Sequence, residues 1–185
     1  MTDANYNLSI VRHGVEAVKV YRSISGIPRD NEMPEIFLGG QIAIGLNRDL
    51  GLQAHVERPY LRIMNELGLT INDQIIEDMG GLRADIALYR EEQPLAIIEL
   101  KICDERDRRG GKLLADLEKM KLLSRQTGIS TYLGVFLTDT ANATCKDRRA
   151  VLETVLEQKF EQASNLESAG NNAEWCWQFI AGRFN

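Results

Sequence analysis

Cysteine is scarce in this chain of 185 residues: Cys103, Cys145 and Cys176 are odd in number, scattered and without CxxC spacing. Neither a disulfide framework nor a zinc site is expected, the thiols read as small buried hydrophobes, and a reducing cytoplasm fits best. Histidine is scarcer still, and His13 and His55 are too far apart in sequence to suggest more than core or surface roles. No apolar run approaches the roughly eighteen residues of a membrane span. The polar opening Met1-Thr2-Asp3-Ala4-Asn5 does not read as a signal peptide, so a soluble, untargeted protein is expected. Positive charge is also short: 22 Lys and Arg against 27 Asp and Glu give −5, which is not the usual footprint of a nucleic-acid binder. What remains is ordinary globular usage, 44% hydrophobic and 26% charged, at a length that suits a single domain over residues 1–185.

The charge is uneven. Between Lys101 and Arg125 eight basic residues face five acidic ones, a local excess of +3 that leaves −8 for the remainder. Val11, Val15 and Val18 recur at helical spacing from about Leu8 to Ser23. Pro34 and Gly51 bracket a second helix, in which Gly39-Gly40 either opposes the helix or marks a close approach. Strand patterns follow at Leu52 to Glu57, with a continuation through Tyr60 and Ile63, then at Ala84 to Tyr89 and Leu95 to Ile102. Residues 64–81 fit no clear pattern. A helix over Gly111 to Gln126 and a strand over Thr131 to Leu137 come next. Thr144 with Asp147 resembles a capping box opening a helix that carries Val151 to Phe160. After a loop at Ser168 to Asn172, Trp175, Trp177 and Phe179 alternate as in a short strand covering the core. The fold class is mixed α/β with a central sheet.

The two runs Arg83-Ala-Asp-Ile-Ala-Leu-Tyr89 and Leu95-Ala-Ile-Ile-Glu-Leu-Lys101 are apolar on both faces, as in strands covered by helices on both sides. Asp85, Glu99 and Lys101 interrupt them, and charges there carry a desolvation cost unless paired. A hairpin turning about Glu92 sets Asp85 opposite Glu99, with Cβ atoms about 4.5–5.5 Å apart on one face. Two carboxylates that close repel unless a proton or cation lies between them. Alternation brings Lys101 to the same face. With no Cys or His nearby, these oxygens suit Mg²⁺ or Mn²⁺. A salt bridge between Asp85 and Lys101 at strand ends, with Glu99 solvated, is the purely structural alternative.

This arrangement resembles the PD-(D/E)xK nuclease superfamily, the restriction-endonuclease-like group whose core runs helix, three-strand meander, helix, strand. The resemblance covers roughly Glu35 to Thr138, with a core about 34–138, a helical N-terminal extension, and a C-terminal helix and short strand. Asp85 and Glu99-Leu100-Lys101 match the motif, although Ala84 stands where the name-giving motif has Pro. The resemblance implies that Asp85, Glu99 and the Leu100 carbonyl hold the metal and that Lys101 acts on the attacking water. It implies a further acid on the first core helix, matched by Glu35, with Glu57 the other candidate. The implied activity is Mg²⁺- or Mn²⁺-dependent hydrolysis of phosphodiesters in DNA, endonucleolytic or exonucleolytic. Lys112 and Lys119, on one ridge of the following helix with Asp116 and Leu123, and Arg106, Arg108 and Arg109 before it, are candidate phosphate contacts. Cutting a duplex would take either dimerisation or two nicks, and a homodimer or a larger defence or repair complex is the expected assembly. A nuclease-like fold kept as a non-catalytic binding or regulatory subunit is the competing function.

Overall fold

The computed structural model describes residues 3–26, 32–104, 111–139, 142–169 and 175–184. The valine stripe becomes α1 (Asp3–Ser25), which buries Ile10, Val11 and Val18. Pro34 caps α2 (Glu35–Leu50), and Gly51 ends it in the left-handed conformation at φ 64. Gly39-Gly40 does not break this helix. The tight approach lies further along, at Gly45, where an added Cβ would overlap the His13 ring of α1.

Seven strands form one open sheet: β1 (Gln53–Pro59), β2 (Arg83–Arg90), β3 (Gln93–Cys103), β4 (Ser130–Asp139), β5 (Gln162–Ala163), β6 (Glu167–Ala169) and β7 (Trp175–Arg183). Their order is β1-β2-β3-β4-β7-β5, with β6 also on β7. All pairs are antiparallel except β3 with β4. That parallel step requires a crossover, which α5 (Gly111–Thr127) supplies. The mixed α/β class is as expected.

Helices cover both faces. On one, α1 and α2 pack over Ile86, Leu88, Ile98 and Leu100. On the other, α5 and α6 (Asn142–Val155) bury Leu113, Leu117, Leu152, Val135 and Ile180. Beside them α3 (Tyr60–Glu66) and α4 (Asp73–Met79) close over Ala87, Tyr89 and Ile97. Trp177 and Phe179 are buried in the core as expected.

Five local expectations are corrected. The first strand does not run on through Tyr60 and Ile63: Pro59 ends it and both residues are helical. The helix of Thr144 starts two residues earlier, so Thr144 is inside it, and it stops at Val155, leaving Phe160 buried beyond its end. The last strand is longer than expected and reaches Arg183. Within the expected loop at Ser168 to Asn172, Ser168 and Ala169 belong to β6. Cys145 and Cys176 form a disulfide across 31 residues of sequence, because α6 packs on β7; Cys103 is a buried thiol. Among the described residues no helix is long and apolar enough to cross a membrane.

Candidate active site

The β2–β3 hairpin turns at Glu91-Glu92, and its ladder pairs Ile86 with Ile98 and Ala87 with Ile97. One step further in that register sets Asp85 beside Glu99. There the regular ladder stops, and the Asp85 side chain takes the place of a backbone acceptor: the Leu100 N–H donates to its Oδ2 at 2.6 Å. The Leu100 side chain points away into the opposite core, where a Cβ on Gly39 would lie 3.6 Å from it. Alternation along β3 therefore puts Glu99 and Lys101 on the face away from α1 and α2. On β1, Val56 pairs with Ile86 and Arg58 with Ala84, so Glu57 falls opposite Asp85. Glu57 has left-handed backbone, φ 56, a costly conformation for a non-glycine residue beside the cleft.

These residues line a cleft of about 280 Å³, with Asp85, Glu99 and Lys101 joined by Glu57, Tyr60 and Asp116. Gly81, Leu82 and Arg83 form one wall, and Lys119 of α5 stands on the other. Glu99 is only 6% exposed, and its Oε1 accepts a hydrogen bond from the Tyr60 hydroxyl. Lys101 Nζ is held between Glu35 at 3.3 Å and Asp116 at 3.2 Å. The structural alternative of a solvated Glu99 with an Asp85–Lys101 pair is not what forms. Glu35 also accepts the Ile102 N–H at 3.2 Å, so the first residue of α2 grips the end of the β3 site. Asp116 is shared with Lys119 at 3.0 Å.

The electrostatics follow from this crowding. Burial pushes the Asp85 carboxyl up to about 6; the Leu100 N–H and Lys101 oppose the shift, and Glu35 and Glu57 add to it. Burial, then the neighbouring Asp85 charge, holds Glu99 well above the carboxylate range despite the Tyr60 donor. Burial alone would lower the Lys101 ammonium, but Glu35, Asp116 and Asp85 outweigh it and keep it firmly protonated. Among the described residues at the cleft, when all are ionised, the five acids Glu35, Glu57, Asp85, Glu99 and Asp116 face three cations, Arg83, Lys101 and Lys119. The surplus equals the charge of one divalent ion.

Among the described residues no three His, Cys, Asp or Glu side chains form a chelating group. Side-chain ligation would therefore fall to Asp85 and Glu99, with remaining positions from the main chain, water or a phosphate. That hard-oxygen donor pair, buried and short of positive charge, fits Mg²⁺ or Mn²⁺.

Arg106, Arg108 and Arg109 lie outside the described residues, as does the side chain of Lys112; Leu123 is buried. His13 is buried between α1 and α2, and His55 stands edge-on to Tyr89, 4.8 Å between ring centroids. A larger cavity of about 400 Å³ opens beside His55. There Arg58, Glu66 and Tyr89 satisfy one another, so it presents less unpaired chemistry than the smaller cleft. Sequence reasoning missed Tyr60, although Pro59 followed by the helix-forming run Leu61 to Glu66 was a signal for it. No family model, curated protein or solved structure matches the chain, so a functional reading rests on these residues.

Proposed function

We propose that this chain is a metal-dependent nuclease that hydrolyses phosphodiester bonds of DNA, built on the PD-(D/E)xK plan. The observation that carries the reading is the buried Glu99 beside Asp85 on adjacent strands, with Lys101 on the same face. The element order supports it: α2, then the antiparallel run β1-β2-β3, the crossover α5, and β4 parallel to β3.

Asp85 and Glu99 would hold the divalent ion, which when bound would supply Lewis-acid polarisation of the scissile phosphate and a more acidic water. Lys101, fixed by Glu35 and Asp116, uses its remaining donor capacity to orient that water. Its permanent charge offsets the negative charge that grows on the phosphoryl oxygens as water attacks in line. Lys119 and Arg83, at the cleft wall, neutralise phosphates of the bound strand. Glu35 serves by holding Lys101 and the Ile102 N–H, and Glu57 adds negative charge beside Asp85.

A cleavage assay on linear, supercoiled and single-stranded DNA with Mg²⁺ or Mn²⁺ tests the reading. Lys101→Ala is expected to lower cleavage by about 10²–10³-fold, the usual loss for one transition-state donor, while Mn²⁺ binding persists. Cleavage that survives this change would sink the mechanism. Wild-type protein that binds DNA without cutting any substrate would return the chain to the binding-subunit reading.

A further inference from the structure

Between β1 and β2 the chain leaves the sheet for residues 60–82, and Tyr60 stands at the base of that excursion. Its main-chain N–H donates to the Leu82 carbonyl at 3.1 Å, closing the excursion where it rejoins the sheet. Arg83 adds a second tie by donating to the Glu57 carbonyl at 3.0 Å. The Tyr60 ring is 1% exposed and packs with Ile63, Met64, Ala84 and Ile97. Its hydroxyl is thereby delivered to Glu99 Oε1 inside the core.

A buried carboxylate at the end of a flexible side chain has several rotations open to it, and only some suit a cation shared with Asp85. The phenol selects among them: by donating to Oε1 it fixes the rotation of the carboxylate, whose remaining lone pairs would be the ones open to an ion. We infer that Tyr60 is a positioning residue for Glu99, presetting the geometry in which Glu99 binds the divalent cation. This inference rests on the nuclease reading and adds to it a residue outside the Asp85, Glu99, Lys101 trio. Groups that orient metal ligands typically change affinity or activity 10–100-fold when removed.

Tyr60→Phe keeps the ring and deletes the donor. Mn²⁺ titration followed by electron paramagnetic resonance, without DNA, is expected to show affinity weakened about 10-fold or more. The Mg²⁺ concentration for half-maximal cleavage should rise in the same proportion, while KM for DNA at saturating Mg²⁺ and the circular dichroism spectrum stay unchanged. Ile63→Val, in the same cluster but without a polar group, should leave Mn²⁺ affinity as it is. Equal Mn²⁺ affinity in wild type and Tyr60→Phe overturns the Tyr60 inference and leaves the nuclease reading standing. An Ile63→Val shift as large as that of Tyr60→Phe also overturns it, since packing would then carry the effect. Wild-type protein that binds no Mn²⁺ and cuts nothing overturns both.

Discussion

The α1–α2 crossing and the cleft on the other side of the sheet both bury polar groups, and they are settled in opposite ways. At the crossing the His13 ring, 1% exposed, has Nδ1 2.9 Å from Glu16 and Nε2 on Asp49, which Arg12 also contacts. The buried Arg148–Asp139 pair, 3.3 Å apart on α6 and β4, likewise sets opposite charges together, with Arg148 Nη1 also donating to the Thr138 carbonyl, although Nη2 finds no partner among the described residues. In the cleft, like charges adjoin at Asp85 and Glu99, and the buried ammonium of Lys101 is already shared by two other acids. The difference separates buried charge that holds the fold together from buried charge that the fold must tolerate. Only the second kind has a use for an incoming cation.

Removing one partner from each region should therefore shift stability in opposite directions. Arg148→Ala leaves Asp139 buried without the guanidinium, and a loss of about 3–5 kcal/mol is expected in urea melts. A neutral result would place that pair with the cleft.

Asp85→Asn keeps an acceptor for the Leu100 N–H but removes the buried carboxylate, whose ionisation burial opposes first and the charges of Glu35 and Glu57 oppose next. Metal-free protein is expected to gain on the order of 2–3 kcal/mol at pH 8, following a carboxyl raised from 3.8 to about 6, while cleavage is lost. The sign follows from proton counting. Between these two values the unfolded carboxyl has released its proton and the folded one has not, so wild-type stability falls as pH rises through about 6. In Asp85→Asn that part of the slope should vanish. Thermal melts of metal-free protein across this window decide the point, and a wild-type slope no steeper than the variant's would contradict the description of Asp85 as a carboxyl whose charge the folded state disfavours, by burial first.

The smallest change tests the crossing. Gly45→Ala drives a methyl into the His13 ring and should cost about 1–2 kcal/mol by overpacking. Equal stability of wild type and variant would mean that the crossing yields more easily than its close contact suggests.

Much of this was legible where local rules and long-range structure agree. The hairpin turning near Glu92 and the same-face placement of Asp85, Glu99 and Lys101 follow from a period of two, and Pro34 and Gly51 mark the ends of α2 as their backbone preferences require. The excursion at residues 60–82 went unread although Pro59 and the run Leu61 to Glu66 marked its start, because residues 64–81 give no periodic pattern that says where the chain returns to the sheet. Tyr60 was lost with it. Asp116 was visible only as a helix residue, because its grip on Lys101 depends on how α5 lies over the end of β3. The Cys145–Cys176 bond depends likewise on contact between layers, for which widely spaced cysteines carry no signature.

The tie between the Tyr60 N–H and the Leu82 carbonyl has an evolutionary consequence. Both ends of the excursion are anchored to neighbouring strands, so its exposed stretches can change without moving the sheet while Tyr60, Ile63, Met64 and Met79 stay fixed by burial, and lengthening such a loop costs only a logarithmic increment. One wall of the cleft is thus an exchangeable part mounted on a fixed chemical base. On the nuclease reading, related chains could acquire new substrate preferences by replacing that wall while leaving the acids beneath it in place.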